Sequence, residues 1–142
     1  MAENKSNCCG GATKIALACS GGSNVGQITN EVAKRLDVSG QCKFFCLAGV
    51  GAGLSGFVVS ARDADRLLVL DGCPTACASK CVSKAGISRF DHIIVTEQGV
   101  KKSKSFDLPP DDIDKVVAKV GEMLSKEPSF ERKGGEAWTR RC

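Results

Sequence analysis

The chain has 142 residues, nine of them cysteine, with 25% charged and 5% aromatic residues and a net charge of +4. That length suits one domain built round one core. The charge is too mild to argue for nucleic acid without a patterned basic patch, and no apolar run nears the roughly 20 residues that span a bilayer, so neither nucleic acid nor a membrane is an expected partner.

The opening M-A-E-N-K-S-N-C-C-G-G has no apolar stretch of the kind that directs secretion, which predicts a cytoplasmic protein. Disulfide frameworks belong to secreted chains, so nine cysteines inside a cell point to metal or thiol chemistry. Nothing in the composition sets an oligomeric state.

Residues 1–13 read as a flexible polar tail carrying Cys8 and Cys9. Adjacent side chains point apart, so this pair would not hold a metal alone, although a tail could fold over a site elsewhere. Lys14 to Cys19 reads as the first strand, with Cys19 at its C-terminal tip. The loop S-G-G-S-N-V-G-Q follows, then a helix whose apolar residues Val25, Ile28, Val32 and Leu36 keep the spacing of one face. Ser23 or Asn24 suits its N-cap. A small anion is the candidate ligand for the Ser20–Gln27 loop, because free N–H groups at a helix start attract one. The loop is neither G-x-x-x-x-G-K-[ST] nor G-x-G-x-x-G, so it does not argue for a nucleotide.

Lys43 to Leu47 is a short second strand, with Cys42 before it and Cys46 near its end. Four extended residues span roughly 13 Å at about 3.3 Å each, so these two cysteines would not reach one ion together. Cys46 is at the ligand-bearing end; Cys42 reads as a structural or surface thiol. Val50, Leu54, Phe57 and Val58 then predict a single glycine-containing helix. Leu67 to Leu70 reads as a fully buried strand, broken by Asp71-Gly72. Pro74 suits the first turn of a helix over Thr75–Ala85, with Gly86 as its C-cap. On that helix Cys73, Cys77 and Cys81 would occupy successive turns of one face.

Asp91 to Glu97 makes a fourth strand, with His92, the one histidine, at its start. That end is opposite the strand tips where ligands gather, which makes His92 a poor metal candidate. The Gly99–Asp107 loop carries Lys101, Lys102 and Lys104. A solvated basic loop is the plain reading, though a lysine there could face an anion or a thiolate cluster. After Pro109-Pro110 comes a last amphipathic helix, Asp111 to Lys126, and residues 127–142 form a tail or an arm docking through Trp138.

The order β-α-β-α-β-α-β-α over residues 14–126 predicts one α/β domain of three layers, a small, mostly parallel four-stranded sheet wound on both faces, Rossmann-like. Ligands of such sheets bind outside the carboxyl ends of the strands, near a switch in strand order. Cys19, Cys46 and Cys73 each end a different strand at that edge, and Cys77 lies one turn beyond Cys73. Four soft thiolates suit tetrahedral zinc, with Zn–S near roughly 2.3 Å. The positive end of the helix after Cys73 would favour its thiolate form. Cys81, roughly 12 Å further along a helix, is held in reserve. Asp71 is a candidate for orienting a ligand or bonding the next turn.

Three ordered stretches carry a resemblance: C-S-G-G-S-N-V-G-Q (Cys19 to Gln27), C-L-A-G-V-G-A-G (Cys46 to Gly53) and D-G-C-P-T-A-C-A-S-K-C (Asp71 to Cys81). Together, over about residues 14–125, they resemble the DGC-domain family, named for its central Asp-Gly-Cys, whose members usually carry a zinc-binding label. The resemblance implies a chelating set at Cys19, Cys46, Cys73 and Cys77, without a biochemical role; Cys8, Cys9 and Cys142 fall outside it.

Two classes therefore compete. One is a zinc-binding protein holding the metal at the sheet edge, structural or for delivery, regulation or sensing. Four thiolates would leave no open position for water, whereas three would leave one. The other is a thiol-based redox or sulfur-transfer enzyme or carrier using Cys19 or Cys73. The stretch Cys19 to Asn24 lacks the arginine that phosphatase chemistry would need. An iron–sulfur cluster uses the same donors.

Overall fold

The computed structural model describes residues 12–128. Cys8, Cys9, Trp138 and Cys142, with the roles suggested for the two tails, lie outside them. Four strands, β1 (Lys14–Ala18), β2 (Lys43–Phe45), β3 (Arg66–Asp71) and β4 (Asp91–Ile94), form one parallel sheet in the order β2-β1-β3-β4. The five α-helices among the described residues are α1 (Asn24–Val38), α2 (Leu47–Gly51), α3 (Ser55–Asp63), α4 (Cys77–Lys84) and α5 (Pro110–Ser125), and a 3-10 helix over Val95–Gln98 follows β4.

Side-chain alternation along the strands divides the core in two. Ala16, Ala18, Leu68, Leu70 and Ile93 pack with α1 and α5 on one face. Ile15, Leu17, Leu67 and Val69 pack with residues of α2, α3 and α4 on the other. β3 is buried along all six residues, as a central strand covered on both faces must be. The expected α/β class and four-stranded parallel sheet are both present.

Three elements differ from expectation. The predicted single helix after β2 is broken at Ala52–Leu54, where Gly53 takes φ +71° and the chain re-enters a helix at Ser55. The helix predicted from Thr75 begins at Cys77, because Ala76 is left-handed (φ 54°) and Cys73 to Thr75 form a turn. β4 is short and enters the sheet late, pairing Asp91 with Leu68 and Ile94 with Asp71. His92 therefore lies level with Val69 rather than at the far edge, and its Nε2–H donates to Asp71 Oδ2 at 2.8 Å.

At the opposite edge a buried arginine ties the fold together. Arg66, 6% exposed, donates from Nε to Asp91 Oδ2 (2.6 Å) and from its terminal nitrogens to the carbonyls of Met123, Leu124 and Lys126. The last turn of a helix leaves such carbonyls without intrahelical partners, so one guanidinium fastens β3, β4 and α5. Among the described residues no helix is long and apolar enough to cross a membrane.

Arg66→Met keeps the apolar stem and removes the guanidinium. Breaking a buried pair costs about 3–5 kcal/mol, so the urea unfolding midpoint falls by a corresponding amount. A loss under about 1 kcal/mol, the scale of an exposed pair, would overturn this role.

Candidate functional site

Strand order changes direction between β1 and β3. From β1 the chain passes through α1 to β2 on one side; from β2 it passes through α2 and α3 to β3 on the other. The turns leaving β1 and β3 thus part to opposite faces, and a cleft of about 420 Å³ opens between them. Cys19, Gly21, Gly22, Ser23 and Gly26 line it from one side; Asp71 to Cys73, Thr75 to Cys77 and Lys102 to Lys104 line the rest.

Two glycines let the turns approach. A Cβ on Gly72 would sit 2.7 Å from the Gly26 nitrogen and 2.8 Å from the Val25 carbonyl carbon, and one on Gly26 would meet the Gly21 backbone at 2.7 Å. Ser23 caps α1, its hydroxyl accepting from Gly26 N–H at 3.3 Å. Asp71, 1% exposed, accepts from the N–H groups of Ala78 (2.8 Å) and Ser79 (3.0 Å) and so caps α4 from the end of β3. It does bond the next turn, and thereby holds the turn that carries Cys73 and Cys77.

Asn24 has a different task from capping. Its side chain donates to Lys101 O (2.8 Å) and accepts from Ser103 N–H (2.6 Å), while its own N–H donates to Ser103 O (3.1 Å). This clamp fixes the lysine loop over the cleft. There Lys102 Nζ lies 3.4 Å from Cys73 Sγ. Only the general possibility of a lysine meeting a thiolate was readable in the sequence; the clamp joins residues far apart in the chain and left no local signal.

Of the four predicted donors, Cys19, Cys73 and Cys77 line the cleft and Cys46 does not. Cys46 is exposed at the N-cap of α2. Among the described residues no three His, Cys, Asp or Glu side chains stand together as a group ready to hold a metal ion. Cys42 is buried in the core, and burial pushes its thiol pKa up, partly offset by Lys14 and Arg66. Cys81 lines a separate groove with Gly51 and Arg62.

Hydrogen bonding separates Cys19 from Cys73. The Thr29 hydroxyl donates its one hydrogen to Gly26 O at 2.6 Å, so towards Cys19, 3.6 Å away, it can only accept. Cys73 is an acceptor from Lys102, and its pKa lies below the ordinary thiol value: the Thr75 hydroxyl and then the Thr75 N–H lower it most, burial opposes them, and Lys102 lowers it further. The positive φ of Ser20 and of Ala76 flanks two cleft cysteines, each such non-glycine conformation costing roughly 1–2 kcal/mol.

The DGC domain family matches residues 15–120. A curated relative, the anaerobic and virulence modulator AnvM of Pseudomonas aeruginosa, is 33% identical over 111 residues, covering 78% of this chain and 85% of the relative. No solved structure matches.

Thr75→Val should shift the pH midpoint for alkylation of Cys73 by iodoacetamide upward, because the hydroxyl, the largest support of the thiolate, is lost while the N–H remains; Lys102→Met should shift it upward by less. Peptide mapping of the alkylated protein reads both, with Cys42 the slowest site. An unmoved midpoint in Thr75→Val would refute the assignment. Gly72→Ala forces the two turns apart, at about 1–3 kcal/mol for overpacking, and should slow Cys73 alkylation as Lys102 loses register; thermal melts and the same mapping check it.

Proposed function

The chain belongs to the DGC-domain family, and from there we propose that it works through the Cys73 thiolate in thiol-based redox or sulfur-transfer chemistry at the switch-point cleft. The observation that carries this reading is the Lys102 ammonium 3.4 Å from the Cys73 sulfur in the cleft lining, where Thr75 also lowers that thiol's pKa. The thiolate is the nucleophilic form of cysteine, and such donors raise its share at neutral pH. Cys19 and Cys77 in the same lining are the natural partners for a disulfide or a relayed sulfur. The relative is named an anaerobic and virulence modulator; a thiol whose state follows redox conditions is compatible with such a role in a reducing cytoplasm.

Zinc is the second reading, and the shared lining of Cys19, Cys73 and Cys77 is what favours it, since three soft donors suit zinc or an iron–sulfur cluster. As placed, the thiols do not form a ready group, and Cys46 stands outside the lining. Binding would have to draw the cleft walls together and take Cys19 from Thr29.

Elemental analysis of protein purified without added metal, with thiol titration before and after chelator, separates the two. The expected result is little zinc and one thiol, Cys73, reacting well ahead of the others. Stoichiometric zinc that protects the cleft thiols, and that is lost in Cys73→Ser, would overturn the first reading in favour of the second.

A further inference from the structure

The lysine charges at the cleft are exposed, and its one carboxylate is buried. Its lining holds two lysines, Lys102 and Lys104, and one carboxylate, Asp71. Asp71 is 1% exposed and already accepts from Ala78, Ser79 and His92. Lys102 is engaged with Cys73, whereas Lys104 makes no ion pair among the described residues. Once Cys73 neutralises Lys102, one positive charge still faces the cleft, held on the loop that Asn24 clamps.

The remaining lining is glycine, one alanine, hydroxyl and sulfur, with neither arginine nor imidazole in it. An arginine would clamp an oxyanion and an imidazole would protonate an oxygen leaving group near neutral pH, and this lining offers neither. It suits a leaving group that departs as a stable anion, with sulfur as the atom attacked.

Resting on the thiolate reading above, we propose that the cleft accepts an anionic sulfane-sulfur donor, with Cys73 taking the donor's outer sulfur and Lys104 holding its anionic end. With thiosulfate, the Cys73 sulfur lone pair attacks the sulfane sulfur and a new S–S bond forms. The S–S bond of thiosulfate breaks, and its electron pair leaves with sulfite. No proton moves and no outside oxidant is needed. A persulfide of a carboxylate-bearing thiol reacts in the same way, releasing the thiolate. Either donor leaves Cys73 as an anionic persulfide beside Lys102. A cleft of about 420 Å³ admits both sizes of donor.

The test uses the full reduced chain in two arms, thiosulfate and glutathione persulfide, followed by intact mass and peptide mapping, with sulfite measured in the first arm. The expected result in at least one arm is the mass of one added sulfur on the Cys73 peptide, and in the thiosulfate arm one sulfite per sulfur gained. Lys104→Gln should need roughly three- to fivefold more donor for the same rate, the scale of one exposed charge contact, and the difference should shrink as salt rises. Its alkylation by neutral iodoacetamide should be unchanged. Fast iodoacetamide alkylation of Cys73 with no sulfur gained in either arm would overturn the donor assignment and leave the thiolate reading standing. Slow alkylation would overturn both. Sulfur appearing on Cys19 or Cys77 in place of Cys73, or an unaltered donor requirement in Lys104→Gln, would also overturn the proposal.

Discussion

Backbone meets backbone where the turn after β3 crosses the first turn of α1, and the arrangement of the cleft depends on that contact. Adjacent strands bring the two tips within about 4.8 Å, but the chain must then leave for opposite faces of the sheet. A side chain at Gly72 would fill the space in which the turns touch, and one at Gly26 would strike Gly21 within its own loop. With hydrogen alone at both positions, the turns close under the cleft and Cys19 and Cys73 line it together. The Gly of Asp-Gly-Cys is thus a packing requirement, and the cysteine after it takes its place from that packing.

Two polar side chains then convert proximity into fixed geometry. Asp71 receives two amides of α4 and the His92 imidazole, and Asn24 makes three hydrogen bonds to the lysine loop counting its own N–H. Each bond is worth about 1 kcal/mol net, enough in sum to hold the left-handed conformations of Ser20 and Ala76 in place. His92 braces the carboxylate from β4 only because that strand enters the sheet late. The offset that moves the histidine up the sheet therefore serves the same turn.

Much of the frame was legible because it is written locally. Strand tips follow from short apolar runs ended by Cys19, Cys46 and Asp71-Gly72-Cys73, and helix faces follow from spacings such as Val25, Ile28, Val32 and Leu36. What escaped is set by tertiary partners. A β4 register two residues late depends on what Leu68 pairs with. The start of α4 at Cys77 depends on a carboxylate six residues back, and the break between α2 and α3 on one left-handed glycine among several. Asn24 has the profile of a cap, yet it acts as a clamp across the cleft. The site's charge followed suit: Lys102 and Lys104 read as a solvated run until another element fixed where the loop lies.

Nine cysteines suggest a single constellation, yet those described differ in what their sulfurs are asked to do. Cys42 fills core volume and is held as a thiol by burial. Cys81 packs by Gly51 in a second groove. Cys46 stands exposed at a helix start without a side-chain cap bond. Cys19 lies 3.6 Å from the Thr29 hydroxyl, which is itself bonded to Gly26 O. Cys73 meets the Lys102 ammonium at 3.4 Å, and Thr75 beside it lowers its pKa further, so its surroundings support the anion. Equal side chains on the walls of one cleft thus meet unequal surroundings, and the role proposed for Cys73 rests on that difference.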